Sequence, residues 1–430
     1  MSTVRVLCTG DVHIGQRSTR LPAGLDPAPY SCATAWSRVV DRAIRERVDL
    51  VAISGDLIDQ LNNTMEALGP LESGLKRLAS HGIECLAVAG NHDAIAAGWL
   101  ARVDGLGLRL LGRGGHWERY TLRRVGEDRL HVDGWSFPVE HVNESPLGDY
   151  QLPAGEHVPV LGMIHGDLDQ PVSSYCPLMA GELRRLPVDF WLLGHIHVPA
   201  SFEAPGAATI LYPGSPQAAH PGETGRHGPW LIEFDGRHVV SPRQFSGSTV
   251  RYTAFELEIS PEVHADAMTG WLYRELREAV EHELAAPDEE LRCLVCRLIV
   301  SGRTSRLPQL QATLAQLETD DVSFDCGEVR VHLEQAISLA RPAIDLEAMS
   351  HSNTLPGEVA RLILALNQDS IPDEYLSLTH SALDSLHDVN QLRTFVALTD
   401  GEPDERLAQG YLRQEAWRLL DELVRQKEPA

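Results

Sequence analysis

Five short polar strings constrain the fold of this 430-residue chain more than any other feature. Each supplies Asp, His or Asn, whose oxygens and imidazole nitrogens together suit divalent first-row metals. One Asp-x-His string alone would indicate little more than a turn, so the prediction of a metal site depends on the whole ordered set. The strings are Gly10-Asp11-Val12-His13, Gly55-Asp56, Gly90-Asn91-His92-Asp93, His165-Gly166 and Gly194-His195-Ile196-His197.

Short apolar runs precede the strings and predict buried strands. The runs are β-branched or otherwise apolar and are bounded by glycine, which is typical of core strands. We therefore expect the polar residues to cluster at strand ends. The runs occupy residues 4–9, 50–54, 85–89, 160–164 and 190–193.

Helical spacing between these runs predicts βαβ crossovers. Apolar residues recur three and four positions apart over 34–47 and 65–79. Alternating strands and helices indicate a sheet covered by helices. Together with further strands after residue 105, they predict an α/β fold in which two sheets pack face to face as a β-sandwich flanked by helices. The further strands are predicted at 108–111, 116–124, 130–137, 209–212, 230–234 and 239–245.

The chain after residue 250 changes character. Strands and helices alternate over 251–345, which predicts a small α+β domain, whereas 346–430 carries only helical stripes. We therefore divide the chain into 1–250, 251–345 and 346–430. Within the α+β region, strands are predicted at 252–259, 291–300 and 329–333, and helices at 265–284 and 305–317.

The strings D-x-H, G-D, G-N-H-D, H and G-H-x-H resemble the calcineurin-like metallophosphoesterase superfamily. Within it, Tyr175-Cys176-Pro177 and the segment from Tyr212 through His220 and Glu223 to Gly225 resemble the SbcD-like DNA repair exonucleases, especially their YhaO-type branch. The resemblance is specific over about residues 4 to 250. It implies a capping role over DNA for the α+β domain and docking on an ATPase for the C-terminal helices.

The resemblance also implies two divalent metal ions per chain, with Mn²⁺ expected first and Mg, Fe and Zn as alternatives. A shared carboxylate screens the repulsion between two dications about 3.5–4 Å apart. Asp56 is the bridging residue implied here. One ion would be held by Asp11, His13, Asp56 and His197, and the other by Asp56, Asn91, His165 and His195.

His92 is implied to lie beside the metals without being a ligand. An imidazole there would stabilise the transition state or protonate the leaving oxygen. Asp93 would orient His92 through a hydrogen bond or, alternatively, cap a helix beginning at about Ala94. Two further acids leave the choice between exonuclease and endonuclease action open. Asp59 replaces a histidine of some archaeal and eukaryotic relatives, and Asp167 would either attract a cation or face solvent.

The net charge of −24 argues at first against a DNA partner, because phosphate contacts supply much of DNA affinity. The acidity is uneven, however, with 28 acidic and 21 basic residues in 1–250 against 33 and 16 in 251–430. Arginines near the strings could grip phosphates bidentately, although an arginine-rich composition explains them equally well. The candidate DNA contacts are Arg17, Arg20, Arg184 and Arg185, with His220 on a loop expected to return to the site.

The distribution of apolar residues and cysteines indicates where the protein is located and how it assembles. No apolar run approaches the roughly 18 residues of a membrane span, and seven dispersed cysteines favour a reducing compartment, so we expect a cytoplasmic protein without a membrane partner. Helices predicted over 65–79 and 94–103 carry several apolar residues, and the resemblance implies that these helices pair in a homodimer, with Trp99 near its centre. The alternative is that these helices only cover their own sheet.

The strings and the resemblance together imply a metal-dependent DNA nuclease in double-strand break repair. It would act as a 3′-to-5′ exonuclease or as an endonuclease licensed by an SbcC-like SMC-type coiled-coil ATPase. A phosphatase or cyclic-nucleotide phosphodiesterase with the same site is the first alternative. An inert DNA-binding scaffold for the ATPase is the second, and the complete ligand set argues against it.

Overall fold

The computed structural model describes residues 3–59, 64–95, 106–236, 238–368, 371–391 and 404–426. Its strands are β1 (Val4–Thr9), β2 (Leu50–Ile53), β3 (Glu84–Ala87), β4 (Leu108–Leu110), β5 (Glu118–Arg124), β6 (Glu127–Trp135), β7 (Val160–His165), β8 (Phe190–Gly194), β9 (Ala200–Phe202), β10 (Thr209–Tyr212), β11 (Trp230–Asp235), β12 (His238–Gln244), β13 (Val250–Ile259), β14 (Cys293–Thr304), β15 (Ser323–Cys326), β16 (Val329–Ser338) and β17 (Arg341–Pro342). Its α-helices are α1 (Cys32–Glu46), α2 (Thr64–Ser80), α3 (Asn91–Ile95), α4 (Ala180–Leu183), α5 (Met268–Glu283), α6 (Leu307–Thr319), α7 (Leu346–Ser350), α8 (Leu355–Leu366), α9 (Asp373–Gln391) and α10 (Glu405–Arg425).

The strands form three sheets. The first has the order β12-β11-β1-β2-β3-β4, and the second has the order β5-β6-β7-β8-β10-β9. In the first sheet β1 to β4 are mutually parallel, and in the second β6, β7, β8 and β10 are parallel. The third sheet, β13-β14-β16-β15, lies after residue 249. The predicted α/β fold with helix-flanked sheets is confirmed.

Alternation along β1 shows how the two sheets form a sandwich. Val6 and Cys8 lie in a core that includes Leu161 and Met163 of β7, whereas Leu7 packs in a different core with Trp36 of α1. Successive side chains of a strand point to opposite faces, so the buried run of β1 serves both sides of its sheet.

Helix α1 follows from its own sequence. Ser31 accepts a hydrogen bond from the Thr34 backbone N–H at 3.2 Å and so caps the helix, which ends where Arg47 adopts a left-handed conformation. Trp36, Val39 and further apolar residues of one stripe are buried against the first sheet. The predicted crossover helix is confirmed, and it fixes β1 beside β2.

Some elements differ from the predictions. Strands β9, β15 and β17 and helix α4 were not predicted, because they span only two to four residues. The helix expected from about Ala94 begins at Asn91, so Asn91, His92 and Asp93 of the third string lie inside α3. Within the described residues α3 ends at Ile95, and Trp99 and Leu100 lie outside them.

The chain divides into two compact units. The first comprises residues 1–302 and 306–340, and the second comprises 303–305 and 341–430. In the second unit, Arg303 pairs with Asp421 at 2.9 Å and lies over the Trp417 ring. The boundaries predicted at 250 and 345 remain predictions. No helix in the described part of the chain has the length and apolarity needed to cross a membrane.

Candidate metal centre

The polar strings converge because their strands are parallel neighbours. Thr9 of β1 pairs with Ile53 of β2, which pairs with Ala87 of β3, so three strings leave one edge of the first sheet. In the second sheet His165 pairs with Gly194. The sheets are joined at this edge, where the Ser54 hydroxyl donates to the Leu193 carbonyl at 3.1 Å.

The backbone at this edge is held in an unusual conformation. Asp11, His13 and Asp56 have φ values of 48°, 45° and 48°, and His195 has a φ of 103°. Left-handed φ values are uncommon outside glycine and cluster at functional sites. Four of the seven predicted ligands therefore have a strained backbone conformation, which sets the direction of their side chains.

One group of donors comprises Asp11, His13 and His197, whose ligand atoms lie within 4.8 Å of one another. The Nε2 atoms of His13 and His197 are 3.2 Å apart. The Asp11 carboxylate is held in place by the backbone N–H of His195, which donates to it at 3.0 Å. This group matches the first predicted ligand set apart from its shared member.

Asp56 is the predicted ligand shared by both sets. It forms a second group of possible metal-ligating side chains with Asp11 and His165. A single oxygen, Asp56 Oδ2, is 3.9 Å from His13 Nε2 and 3.4 Å from His165 Nε2. Asn91 Oδ1 lies 3.1 Å from the same His165 nitrogen. Asp56 therefore lies between the two predicted ligand sets, as a bridging carboxylate must.

Gly90 shows how little room surrounds Asp56. A Cβ at this position would lie 2.2 Å from Asp56 Oδ1 and 2.7 Å from the His165 ring. The same Asp56 oxygen accepts the His92 backbone N–H at 3.0 Å. The glycine of the third string therefore permits close approach of the loop to the bridging acid.

Burial makes these charges interdependent. Asp11 and His165 are fully buried and Asp56 is 2% exposed. Burial lowers the pKa of His165, but the Asp56 carboxylate more than reverses this and raises the pKa to about 9. Burial lowers the pKa of His13 to about 4, so that imidazole is neutral. Buried carboxylates need compensating cations, and the mixture of oxygen and imidazole donors fits divalent metals.

His92 faces Asp59 rather than Asp93. Its Nδ1 lies 3.8 Å from Asp59 Oδ1, and its side chain is 30% exposed. Asp59 is 1% exposed, and neither its Oδ2 nor His92 Nδ1 has a hydrogen-bond partner in the described structure. Sequence reasoning noted Asp59 only as a departure from relatives and gave it no role.

Asp93 has other partners. Its carboxylate accepts the backbone N–H groups of Leu57, Ile58 and Gly90 at 3.1 to 3.4 Å. Burial, together with nearby Asp56, raises the pKa of Asp93 to about 7. Among the described contacts, none joins Asp93 to His92. The structure thus places Asp93 as a tie between two ligand loops, inside α3 rather than at its cap.

The remaining candidates are placed less centrally. Asp167 Oδ1 lies 3.4 Å from His195 Nε2, and its other oxygen accepts the Ser173 hydroxyl at 2.5 Å. The loop of His220 returns to the site, because His220 Nε2 lies 3.2 Å from Glu223, which in turn contacts His197. Sequence reasoning gave Glu223 no role, and its distance in the chain from His197 offered no spacing signal.

The four candidate arginines have partners elsewhere or face solvent. Arg20 lies 3.7 Å from Glu334, Arg184 donates to the Phe202 carbonyl at 3.2 Å, and Arg185 lies 3.9 Å from Glu182. Arg17 is exposed. Within the described residues the structure brings none of them into contact with the predicted ligands, so their DNA contacts remain predictions.

Comparison with known proteins agrees with this geometry. The family model described as calcineurin-like phosphoesterase matches residues 4–199. The uncharacterized metallophosphoesterase YhaO of Bacillus subtilis is 30% identical over 198 residues, covering 45% of this chain and 47% of that protein. The DNA double-strand break repair protein Mre11 of Haloferax volcanii is 32% identical over 237 residues, 54% of this chain and 49% of that protein. The DNA double-strand break repair protein Mre11 of Methanopyrus kandleri is 24% identical over 405 residues, which cover 86% of this chain and 84% of that protein. The chain spans about half the length of the first two relatives.

Proposed function

We propose that the protein is a two-metal DNA nuclease acting at double-strand ends, on the premise that residues 4–199 belong to a calcineurin-like phosphoesterase domain. Phosphoesterases of this family are metal-dependent hydrolases that bind two divalent ions. The observation that carries the proposal is the meeting of five strand-end strings around Asp56. The relatives named as double-strand break repair proteins support DNA as the substrate.

The chain's own residues divide between the two ions. Asp56 would contribute to both, because its Oδ2 lies between His13 and His165. When bound, the ions activate water and take up charge that develops on the phosphoryl oxygens. One ligand set would be Asp11, His13, Asp56 and His197, and the other Asp56, Asn91, His165 and His195.

His92 would serve the leaving group. Its backbone N–H is fixed by Asp56, while its partly exposed ring is free to reach a substrate beside the ligands. Asp59, buried behind His92, would orient the ring and stabilise its protonated form. We therefore assign the orienting role to Asp59 and a loop-tying role to Asp93, which holds backbone N–H groups of two strings.

The exposure of the site suits a polymer substrate. His92, His195 and His197 are 20% to 30% exposed, whereas the carboxylates beneath them are almost completely buried. A phosphodiester could therefore approach from the side of these histidines. The two groups esterified to its phosphate would then lie outside the cluster of metal ligands. His220, at the rim with 58% exposure, remains a candidate DNA contact.

The proposal also includes the partners and the location that the sequence led us to expect. We retain an SbcC-like SMC-type coiled-coil ATPase as partner of the C-terminal helices and a cytoplasmic location. A homodimer also remains proposed, although Leu71 and Leu75 of α2 are buried in the chain's own core and Trp99 lies outside the described residues. Light scattering at micromolar concentration tests this, and a monomer mass unchanged by Trp99→Glu would exclude the interface.

The direct test compares three substrates with the purified full chain and Mn²⁺. We expect hydrolysis of duplex DNA from 3′ ends or near them, and Asp56→Asn should abolish it. Hydrolysis of a phosphomonoester or a cyclic nucleotide with intact DNA would replace the proposal with the small-substrate alternative. Hydrolysis of none of the substrates would favour the inert scaffold.

A further inference from the structure

Glu223 is a buried carboxylate beside the predicted ligands but outside their set. It lies on the loop after β10 and is 2% exposed. Its Oε1 is 2.6 Å from His197 Nδ1 and 3.2 Å from His220 Nε2. Its Oε2 accepts the Ala219 backbone N–H at 2.6 Å and the Ser215 hydroxyl at 3.3 Å. Both oxygens therefore have defined partners.

The two nitrogens of His197 point in different directions. Nδ1 faces Glu223, and Nε2 faces the Nε2 of His13 at 3.2 Å. A carboxylate can only accept a hydrogen bond, so the proton of neutral His197 lies on Nδ1. The lone pair of Nε2 is then directed towards Asp11 and His13, which belong to the same group of metal-ligating side chains.

We propose that Glu223 is a positioning residue that holds His197 in the orientation and tautomer needed to bind one of the two metal ions. A carboxylate behind a metal-binding histidine fixes its ring and raises its basicity, and removing one typically costs about 10- to 100-fold in metal affinity. The inference rests on the proposed function, because it assumes that His197 binds metal.

A third cation between His197, His220 and Glu223 is the competing interpretation of this cluster. Glu223 Oε2 is already taken by Ala219 and Ser215, and Oε1 lies at hydrogen-bond distance from His197 Nδ1. That nitrogen cannot both donate to Glu223 and bind a cation. The hydrogen bonds therefore favour a positioning role over a further metal site.

The loop that carries Glu223 is itself anchored. The Glu223 backbone N–H donates to the His220 carbonyl at 2.9 Å, and Gly225 N–H donates to the Tyr252 carbonyl of β13 at 3.1 Å. The Tyr252 hydroxyl also donates to the Thr19 carbonyl at 2.6 Å. The carboxylate is thus fixed from the third sheet as well as from its own loop.

The test is calorimetric titration of Mn²⁺ into the metal-free full chain. We expect two sites in the wild type, and in Glu223→Gln we expect one of them to weaken about 10- to 100-fold while the other is unchanged. Glutamine preserves an acceptor for the buried loop, so the melting temperature of the metal-free chain should change little. Glu203→Gln, which removes an exposed carboxylate, is the matched control and should bind as the wild type does.

The outcomes separate this inference from the proposed function. A wild type that binds no Mn²⁺ overturns the proposed function and the inference with it. Two wild-type sites with unchanged affinities in Glu223→Gln overturn the inference alone. If that variant does not fold, ¹⁵N NMR of the Zn²⁺-loaded wild type decides, because a His197 protonated on Nε2 would contradict the inference and one protonated on Nδ1 would support it.

Discussion

Two parallel sheet segments of this protein share a topology but differ at their carboxyl ends. The strands β1, β2 and β3 end in the strings of Asp11, Asp56 and Asn91, whereas β13 and β16 of the third sheet are followed by Ser260 and Leu339. Every described cluster of metal-ligating side chains lies between residues 11 and 223. Parallel strand ends therefore provide a place for a site, and the residue types decide whether there is one.

The interiors of the two segments differ in the same way. The first buries Asp11, Asp56, Asp59 and Asp93 close to fully, whereas the third sheet has an apolar core and a buried Arg251 that pairs with Glu283 and Asp288. Burying a carboxylate is costly unless it is paired or coordinated. The buried carboxylates of the first segment therefore destabilise the fold unless cations compensate them. We expect substitutions in the two segments to differ accordingly in their effect on hydrolysis.

The largest effect is expected from Asp56→Asn. Loss of the shared carboxylate should remove both ions and lower hydrolysis of a simple phosphodiester by more than about 10³-fold. Mn²⁺ should raise the melting temperature of the wild type, because it binds the folded chain, and leave that of the variant unchanged. The control is Asp128→Asn, a partly exposed acid paired with Arg123. Wild-type protein that was never exposed to chelator and carries no metal would contradict the prediction.

His92→Gln should give the next effect. The residue assists the leaving group without holding metal, so the rate should fall about 10²- to 10⁴-fold. Both ions and DNA affinity should be retained, as measured by metal analysis and by binding of a duplex. If the variant loses an ion, His92 is a ligand and its assigned role is wrong.

A smaller effect should follow from Asp59→Asn. Removing the charge behind His92 should slow hydrolysis about 10- to 100-fold at unchanged metal content, by analogy with other orienting carboxylates. Asp93→Asn is the matched comparison, and its main effect should be on thermal stability because Asp93 ties backbone N–H groups. The reverse pattern of rates would return the orienting role to Asp93.

The contrast between Asp59 and Asp93 also shows where sequence reasoning stops. Parallel strands carry their ends to one edge of a sheet, so the meeting of Asp11, Asp56 and Asn91 followed from their order in the chain. The resemblance implied Asp93, the next residue in the chain, as the partner of His92. In α3, however, successive residues do not face each other, and Asp93 turns towards Leu57.

Loop contacts over long sequence separations were not predictable either. The loop after β10 was expected to return to the site through His220, but no local pattern indicated that Glu223 would contact His197. The same holds for Ser54, whose carbonyl orients His165 from the other sheet at 3.0 Å. The ligands of the site were thus accessible from local pattern, but most of the groups that hold them were not.

The smallest effect on hydrolysis is expected from Leu298→Ala in the third sheet. Leu298 is completely buried in the apolar core of β14, so its truncation should lower the free energy of unfolding by about 2 to 5 kcal/mol. Because no predicted ligand or orienting acid belongs to that core, Mn²⁺ affinity and the rate on a small phosphodiester should stay within about twofold of wild type, well below 1 kcal/mol. Denaturant unfolding and a chromogenic phosphodiester assay at low temperature measure the two quantities. A folded variant that loses metal or activity would mean that the apolar core around Leu298, and not only the Tyr252 contact of β13, helps to shape the centre. Stability and chemistry would then not be separable in these two parts of the chain.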